Sequence, residues 1–541
     1  MITSLSRWFD RNVLELGREM RLSYLPPIMV YMAYGISTLT NVVGAFFIKD
    51  YLELSAEFLA ALMFWANVPW ILKMPLGHLV DLIWRYKSIL VFIGAGLIAT
   101  SLLIMIGLLN QPDEMRSIMP ISVWYITSVI LAPVGYVIQD VVADAMTVEA
   151  VPRVDQQGKP LDLARIKLMH TSMQTLGRAA IVGGGISVGL LNLYMFSGIE
   201  GMTKADKVPI YIDIFQIGLL IPVISVLGVS LGGVLKMRDA KRLHLHGYEW
   251  REAWNLVHGE IEKTQPNWWI LIGSLLFVIF TISIGTSEIP WSEEIVFSGS
   301  MAIVLFLMMR LVRVLDEHSR LVLVGTAIII FVYRAMPTPG QGENWWMIDE
   351  LGFDERFLTI LGLIFSSLAL FGMFLFRRFM AERSIAYVIG FLTIVTTFLY
   401  LPTIGMYYGL HEWTAAMTNG VVDARFIALV STALESPLGQ VAMIPMLAWI
   451  ANSAPANLKA TFFAVMASFT NLALSLSQLG TKYINQIFLV TREVRDPLTG
   501  AITVQADYGE LGLLLITVSA IGLMLPLAAI FLVKGTALRS A

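Results

Sequence analysis

The chain has 541 residues, of which 57% are hydrophobic and 14% are charged, and its mean hydropathy is +0.72. Soluble domains carry about 25% charged residues, so this composition indicates an integral membrane protein that crosses the bilayer many times. The formal net charge of −3 gives no reason to expect a nucleic-acid partner. The absence of cysteine excludes disulfides, thiolate metal sites and a cysteine nucleophile.

The first segment, residues 1–22, mixes acidic, basic and apolar side chains. It lacks the continuous apolar core and the small-residue cleavage site of a secretory signal. It is therefore predicted to be an amphipathic helix that lies on the cytoplasmic face of the membrane.

Fourteen stretches are apolar over the roughly 20 residues that a helix needs to cross a bilayer. The sequence thus predicts an all-α integral membrane protein. The predicted spans are 24–47, 57–80, 88–109, 119–148, 167–194, 210–235, 268–287, 294–314, 319–337, 355–376, 384–402, 424–451, 456–489 and 511–534.

The distribution of basic residues predicts the orientation of these spans. With both termini in the cytoplasm, the cytoplasmic loops and tails hold 25 lysines and arginines, and the outer loops hold 8. Cytoplasmic loops of membrane proteins carry an excess of Lys and Arg. We therefore expect both termini to be cytoplasmic, in an inner or plasma membrane.

The spans form two sets of six around a polar segment and an inserted hairpin. The predicted parts are the N-terminal segment (1–22), a first six-helix bundle (23–236), a linker with the two-helix hairpin (237–315) and a second six-helix bundle (316–541). Pro133-Val-Gly135 and Pro437-Leu-Gly439 lie at matching places in the two halves. Matched interruptions are typical of transporters built from repeats, and chance is the alternative, because Pro and Gly are common in membrane helices.

Several motifs of soluble chemistry are missing from the sequence. It contains no G-x-x-x-x-G-K-[ST] phosphate loop and no H-E-x-x-H zinc motif. No cofactor, no metal and no catalytic residue are predicted, and any active transport would draw on a gradient.

Charged residues inside the spans mark the candidate site. Asp140 and Asp144 lie one turn apart on the fourth span, with Asp140 about 13 Å from its cytoplasmic end, and Arg178 lies about 16 Å inside the fifth. Lys73, about 12 Å inside the second span, is predicted to belong to the same layer. Intramembrane charges indicate a substrate or ion pathway, and a network that only sets helix register is the alternative. Glu149, at the membrane edge, is expected to be solvated.

The loop after the second span carries Gly77-x-x-x-Asp81, followed by Arg85. A carboxylate at a tight helix end can bond a neighbouring helix N-terminus in one conformation only, which predicts a gating role. A capped helix end with a snorkelling lysine is the alternative.

In the second half, Arg334 precedes a predicted helix break, Glu435 and Gln440 flank Pro437, and Asn471 begins a polar stripe that Gln478 and Asn485 continue. Hydrogen bonding between helices is the alternative for this stripe. The residues predicted to contact a substrate or carry coupling are Lys73, Gln139, Asp140, Asp144, Gln174, Arg178, Arg334, Glu435, Gln440 and Asn471, and the predicted gating residues are Gly77, Asp81 and Arg85.

Six motifs, in this order along the chain, resemble those of one known protein family. They are F-F-I-K-D-Y-L-E-L-S-A-E (46–57), P-W-I-L-K-M-P-L-G-H-L-V-D (69–81), Q-D-V-V-A-D-A-M-T-V-E (139–149), M-Q-T-L-G-R-A-A (173–180), M-P-T-P-G-Q-G-E-N-W-W-M-I-D-E-L-G-F (336–353) and A-P-A-N-L-K-A-T-F-F-A-V-M-A-S-F-T-N (454–471). Together they resemble the folate–biopterin transporter family of the major facilitator superfamily. The chain departs from the family pattern at Met74-Pro75, at Lys459 and in the inserted hairpin.

The resemblance implies a major facilitator fold and a secondary transporter that moves a folate or a pterin by alternating access. It also implies proton coupling, and the protein is expected to be a monomer in the lipid bilayer. A muropeptide-type permease of the same superfamily is the near alternative, because such permeases share Q-D-x-x-x-D-A and can have two extra helices.

Two other classes of function remain as alternatives. D-V-V-A-D (140–144) also matches the D-x-x-x-D of magnesium-dependent membrane prenyltransferases, but the other spans lack the second aspartate motif that these enzymes need. A receptor or scaffold that does not transport is the other, because a fold does not determine a function.

Overall fold

The computed structural model describes residues 20–44, 56–71, 73–152, 161–199, 202–258, 266, 268–285, 289–313, 315–376, 379–380, 383–446, 449, 459–495 and 502–540. Within these residues the chain is helical except for one short antiparallel pair of strands and the connecting loops, so the all-α prediction is confirmed. The predicted N-terminal amphipathic helix lies, up to residue 19, outside the described residues.

The helices of the first half are, in chain order, α1 (Leu25–Ile36), α2 (Ala56–Ile71), α3 (Lys73–Leu82), α4 (Ser88–Asn110), α5 (Pro112–Ile118), α6 (Ile121–Ala150), α7 (Leu163–Met195), α8 (Lys204–Gly218), α9 (Leu220–Leu245) and α10 (Trp250–His258). Single turns of 3₁₀ helix flank α1 at Leu22–Tyr24 and Ser37–Thr40, and a third one, Trp84–Tyr86, precedes α4.

The second half continues with α11 (Trp268–Gly285), α12 (Ser292–Val312), α13 (Glu317–Arg334), α14 (Gln341–Asp349), α15 (Glu355–Leu375), α16 (Ile385–Tyr407), α17 (Leu410–Met417), α18 (Ala424–Glu435), α19 (Lys459–Ile487), β1 (Val494–Arg495), β2 (Ile502–Val504) and α20 (Leu511–Gly535). A 3₁₀ turn, Ser436–Leu438, follows α18 directly. The strands pair antiparallel in a loop where no strand was predicted.

Ten helical stretches of the described chain are long and apolar enough to cross a membrane. They are Phe58–Val80, Ser88–Asn110, Ile121–Thr147, Leu176–Met195, Asp206–Leu245, Ser292–Arg310, Glu355–Leu375, Ile385–Tyr407, Ala424–Met446 and Leu511–Gly535. Each coincides with one predicted span. The other four predicted spans contain the helices α1, α11, α13 and α19, which do not meet the same length and hydropathy criterion among the described residues, so the count of fourteen is not confirmed.

Side-chain caps explain where several helices of the second half begin. Asp316, Asp354 and Asp423 each precede a helix and accept a hydrogen bond from the backbone N–H three residues later, at 3.0, 2.7 and 2.8 Å. Such a cap satisfies one of the N–H groups that a helix start leaves without a partner. It therefore fixes the first residue of α13, α15 and α18.

The described chain divides into two compact units by its internal contacts. The first consists of the described parts of Met1–Thr40, Leu76–Leu191 and Pro209–Asn267, and the second of those of Asn41–Pro75, Asn192–Val208 and Trp268–Ala541. The domain boundaries that the sequence indicates remain a prediction.

Close backbone contacts at glycine hold the first unit together. A Cβ at Gly94 on α4 would lie 2.6 Å from the carbonyl oxygen of Gly135 on α6, and a Cβ at Gly135 would lie 2.6 Å from that of Gly94. In the same way, a Cβ at Gly184 on α7 would lie 2.8 Å from the backbone of Gly35 on α1. Because only glycine fits at these crossings, the helix backbones approach more closely than ordinary side chains permit.

In the second unit, α2 packs along α19, and an apolar cluster surrounds this contact. Its fully buried members include Phe64, Ile329 and Leu472. The hairpin of α11 and α12 adds Val296 and Val304 to the same cluster. The inserted hairpin is therefore part of the core of this unit and does not lie loosely at its surface.

The two proline–glycine interruptions differ. α6 continues unbroken through Pro133, whereas α18 ends at Glu435 and gives way to a 3₁₀ turn that contains Pro437. The expectation of matching breaks is therefore wrong for α6, where Gly135 provides the contact with α4. At the second site the carbonyl of Pro437 lies against Gly372 of α15, where a Cβ would lie 2.0 Å from the Pro437 oxygen.

Candidate functional site

Four polar side chains of α1, α6 and α7 come together in the first unit. The Tyr31 hydroxyl donates a hydrogen bond to Oδ1 of Asp144 at 2.6 Å. Asp140, Asp144 and Arg178 all lie close enough to Tyr31 to interact with it electrostatically. We call Tyr31, Asp140, Asp144 and Arg178 the Tyr31 cluster. It brings together three of the ten residues predicted for substrate or coupling.

Tyr31 was not predicted as a site residue. It is 6% exposed, and its ring lies against the α7 backbone, where a Cβ at Gly177 would lie 2.9 Å from it. Arg178 follows Gly177 directly, so the contact that holds the tyrosine also positions the arginine. Tyr31 lies in an apolar stretch that resembles any membrane helix, and no signal in the sequence marks it.

Gln139, next to this cluster, links three helices of the first unit. Its side chain is 3% exposed. Nε2 donates to the carbonyl oxygen of Val91 on α4 at 3.2 Å, and Oε1 accepts from the Ser225 hydroxyl on α9 at 2.9 Å. A buried amide that is bonded on both sides acts as a cross-link between helices, which favours a structural role at this position.

The other residues predicted in the first half occupy helices. Lys73 is the first residue of α3 and is half-buried, and Gly77 lies within the same helix. Asp81 lies in α3, Arg85 in the 3₁₀ turn Trp84–Tyr86 and Gln174 in α7. The side chains of these last three residues lie outside the described part of the structure, so their roles remain predictions.

A second cluster of polar groups lies in the second unit. The Tyr400 hydroxyl on α16 donates to Oε1 of Glu343 on α14 at 2.8 Å. Glu435, at the end of α18, lies close enough to interact electrostatically with both residues and with Tyr333. Burial raises the pKa of Glu343 to about 7; the bond from Tyr400 opposes this shift and the charge of Glu435 adds to it. Of these residues only Glu435 was predicted.

Three further predicted residues have contacts in the second unit. Nη1 of Arg334, the last residue of α13, lies 3.6 Å from the sulfur atoms of both Met443 and Met446. Nδ2 of Asn471 donates to the carbonyl oxygen of Trp70 at 3.2 Å. The carbonyl of Gln440, after the 3₁₀ turn, accepts from the N–H of Ile444 at 3.3 Å.

The polar stripe on α19 forms hydrogen bonds with neighbouring segments. Besides the bond from Asn471, Nδ2 of Asn485 donates to the carbonyl oxygen of Pro339 at 3.1 Å, and Asn485 is 3% exposed. These contacts favour the alternative in which the stripe joins helices.

Glu149 is not solvated, contrary to the expectation from the sequence. Its side chain is 7% exposed and joins two cations: Oε1 lies 2.5 Å from Lys87 Nζ, and Oε2 lies 2.5 Å from Lys236 Nζ. Burial by itself would raise the pKa of Glu149, but Lys236 and Lys87 together outweigh it and hold the pKa below its ordinary value. We call these three residues the Glu149 bridge. It ties the end of α6 to the start of α4 and to α9.

One lysine and two glutamates join the inserted hairpin to α19. Nζ of Lys482 on α19 lies 3.3 Å from Oε2 of Glu293 and 3.3 Å from Oε1 of Glu294, both in the first turn of α12. Nε1 of Trp65 on α2 donates to Oε1 of Glu293 at 3.3 Å, and the Tyr483 hydroxyl donates to Glu294. Glu293 lies just before the predicted span 294–314 and Glu294 begins it, and the sequence gives no sign that a lysine of a later helix meets them.

The D-x-x-x-D motif of α6 resembles a motif that holds magnesium in other membrane proteins. Among the described residues, no group of three or more His, Cys, Asp or Glu side chains is arranged to hold a metal ion. One oxygen of Asp144 is already engaged by the Tyr31 hydroxyl.

The fold is shared with solved transporters of low sequence identity. A POT family transporter solved with 5-aminolevulinic acid aligns with a TM-score of 0.56 and 13% identity over 96% of each chain. A D-xylose–proton symporter aligns with a TM-score of 0.52 and 11% identity over 95% of this chain and 96% of its own. At such identities the likeness shows the fold alone, and this fold is the predicted major facilitator fold.

Relatives in sequence identify the family. The folate-biopterin transporter of Synechocystis sp. is 23% identical over 477 residues, which are 88% of this chain and 77% of that protein. Folate transporter 2 of Plasmodium falciparum is 24% identical over 160 residues, which are 30% of this chain and 34% of that protein. The model of the BT1 family matches residues 266–538, about half of the chain. The resemblance stated from the motifs is confirmed: this chain is a multi-pass membrane transporter and belongs to the BT1 family.

Proposed function

We propose that this protein is a secondary active transporter that moves a folate or a pterin by alternating access and is coupled to protons. The observation that carries the proposal is its similarity over 88% of its length to a protein named a folate-biopterin transporter. The Tyr31 cluster supports it with chemistry that suits an anionic solute and a proton.

Arg178 is the proposed contact for a carboxylate of the solute. Its guanidinium carries a permanent charge and presents a planar set of donors that matches a carboxylate. Folates carry carboxylates, and an arginine in a membrane-spanning helix (α7) is expensive unless it has a partner or a function. Lys73 remains a second proposed contact, argued from the sequence alone.

Asp140 and Asp144 are the proposed proton carriers. Tyr31 donates a hydrogen bond to Asp144, and Arg178 brings a positive charge to the same cluster as the two aspartates. Protonation of one aspartate would remove a negative charge that competes with the solute for Arg178. Proton binding and solute binding would then favour each other, which is the basis of symport.

Glu343 is proposed as a second group that exchanges protons. Its pKa of about 7 lets it gain and lose a proton near neutral pH, and its neighbours Tyr400 and Glu435 are polar groups in the same unit. A carboxyl group with a pKa near the working pH suits proton transfer. We further propose that both termini are cytoplasmic, on the distribution of basic residues. The resemblance to the transporter family is the ground for proposing a monomer in the cell membrane.

Uptake by the purified protein in liposomes tests the proposal. We expect labelled folate to enter when a pH gradient is imposed, and Asp140→Asn to abolish gradient-driven uptake while the variant still folds. Asp113→Asn is the matched control, because Asp113 is an exposed aspartate of α5, which lies outside the predicted spans.

Two outcomes would contradict the proposal. Well-folded protein that takes up neither folate nor a pterin, but takes up a muropeptide under the same gradient, would favour the permease alternative. Loss of folding in Asp140→Asn, with normal coupling in Asp144→Asn, would assign the aspartates a structural role.

A further inference from the structure

A cavity of about 850 Å³ lies at one end of the first unit, next to the Glu149 bridge. Its walls come from the chain before α1 and the first turn of α1, from the turn before α4, from the end of α6, from α9 from Val229 onward and from α10. The Tyr31 cluster does not line it. It is therefore a space separate from the proposed transport chemistry.

The cavity wall carries more cationic than anionic side chains. Its cationic residues are Arg21, Lys87, Lys236, Arg238 and Arg242, and its acidic residues are Glu149 and Asp239. Both lysines are held by Glu149, so the arginines are the cations that remain to meet a ligand.

Arg238 and Arg242 lie one turn apart on α9. Both reach Oδ1 of Asp239 through Nη2, at 3.2 Å and 3.6 Å, so two guanidinium groups share one carboxylate oxygen. Their side chains are 55% and 41% exposed, and Nε of Arg242 is buried without a hydrogen-bond partner among the described residues. The pair thus keeps donors for a further anion.

The outer face of α9 beside these arginines is apolar. Leu227, Val234 and Met237 are each more than half exposed. α9 belongs to a candidate membrane span, Asp206–Leu245, so we expect such side chains to face lipid chains. Trp84 and Trp254 line the cavity itself, and tryptophan is typical of the boundary between lipid and water.

We infer that this cavity binds a phosphate-bearing anion, with Arg238 and Arg242 as its charged contacts. Guanidinium groups match the oxygens of a phosphate in paired hydrogen bonds. The phosphate is that of an anionic phospholipid headgroup, whose acyl chains lie along α9, or that of a small soluble phosphate ester. Basic pockets between membrane helices suit such headgroups. The inference does not depend on which solute is transported.

Thermal unfolding of the purified full-length protein tests this site. The probes are dihexanoyl phosphatidylglycerol, dihexanoyl phosphatidylcholine and glycerol 3-phosphate, each titrated at low ionic strength. We expect phosphatidylglycerol to raise the unfolding temperature more than phosphatidylcholine does, because a ligand of the native state stabilises it. Added salt should weaken the effect, since exposed charges are screened.

Variants locate the binding. Arg238→Gln with Arg242→Gln should weaken phosphatidylglycerol binding about tenfold, which corresponds to about 1.4 kcal/mol. Lys241→Gln with Arg251→Gln is the matched control, because it removes the same charge from exposed residues of α9 and α10 that do not line the cavity. Arg238→Lys with Arg242→Lys keeps the charge and should retain part of the affinity.

Each outcome of these titrations supports or overturns the inferred phosphate site. Stabilisation by glycerol 3-phosphate as well as by phosphatidylglycerol supports a site for the phosphate alone, and stabilisation by phosphatidylglycerol alone supports a lipid site. Equal effects of the two lipids on the wild-type protein would overturn the inference, whether or not the variants fold. An equal loss of affinity in the control pair would overturn it too, because binding would then follow only total charge.

Discussion

Glu149 illustrates at the scale of one residue what sequence reasoning misses. Glu149 lies at the end of the apolar helix α6, and the sequence predicts that a charged side chain in such a position is solvated. Its two lysines come from a turn 62 residues earlier and a helix 87 residues later, so neither is a neighbour in the sequence. Pairing on both oxygens explains how the carboxylate stays charged while it is 7% exposed.

We predict that Glu149→Gln destabilises the protein by about 3–5 kcal/mol, because it leaves two partly buried lysines without their shared anion. The difference in stability between the wild-type protein and Glu149→Gln should decrease as the pH falls. The lowered pKa of Glu149 makes its contribution complete above the ordinary value of 4.5 and lets it vanish as pH falls through the lowered pKa. Thermal unfolding between pH 3.5 and 7 measures this dependence. Glu252→Gln, at an exposed glutamate of α10, is the control, and equal unfolding temperatures for the two variants would refute the prediction.

At the scale of elements, small residues determine how closely the helices approach. α4 and α6 cross where Gly94 and Gly135 meet backbone to backbone, and α1 and α7 cross at Gly35 and Gly184. The sequence carries a run of glycines in α7, and in the structure Gly184 makes the close contact while Gly183 has nothing within 4 Å. The sequence did not indicate which helix lies next to α7, because a run of glycines does not specify the helix that it packs against.

We expect Gly94→Ala to destabilise the first unit by about 1–3 kcal/mol, because the new methyl group must displace the backbone of α6. Gly96→Ala on the same helix meets nothing within 4 Å, so it should be neutral or mildly stabilising through its better helix propensity. Chemical or thermal unfolding of both variants in the same detergent compares them. Equal stability of the two would show that the α4–α6 crossing can relax.

Polar segments between helices were harder to predict than the helices themselves. The hydropathy pattern located all ten candidate spans, because crossing a bilayer imposes a strong requirement for length and apolarity. Glu343 lies in one of the six quoted motifs but was not singled out, since a glutamate beside a predicted helix break reads as part of a loop. Only the position of Tyr400, 57 residues later, reveals that it is bonded.

At the scale of the whole molecule, the sequence predicted the class of fold and the family better than the site. Six motifs in order carried the family, and the BT1 match and the Synechocystis relative confirm it. The site depends on distances between helices, and a single sequence does not contain them. Arg178 and Asp140 could be matched by depth alone, whereas Tyr31 required the packing of α1 on α7.

The proposed orientation gives a prediction that the absence of cysteine makes simple to test, because the chain has no thiol of its own besides the one introduced. We expect Arg251→Cys in α10 to react with a membrane-impermeant maleimide only after cells are permeabilised. Glu412→Cys, at an exposed position of α17, should react in intact cells. Labelling of Arg251→Cys in intact cells, with Glu412→Cys protected, would reverse the proposed topology.

The contact between α4 and α6 also has a mechanical consequence. The two helices are joined at Ser101 and Ser128, whose hydroxyls each donate to the other's carbonyl at 2.8 and 2.9 Å, at the glycine crossing, at Gln139 and at the Glu149 bridge. Four attachments spread over about 20 Å of α4 oppose the sliding of one helix past the other. If protonation of Asp140 displaces α6, as proposed, we expect α4 to move with it as one rigid body. A spectroscopic label at the exposed Ile89, near the start of α4, should then report events at the aspartates while Lys87 stays in the Glu149 bridge.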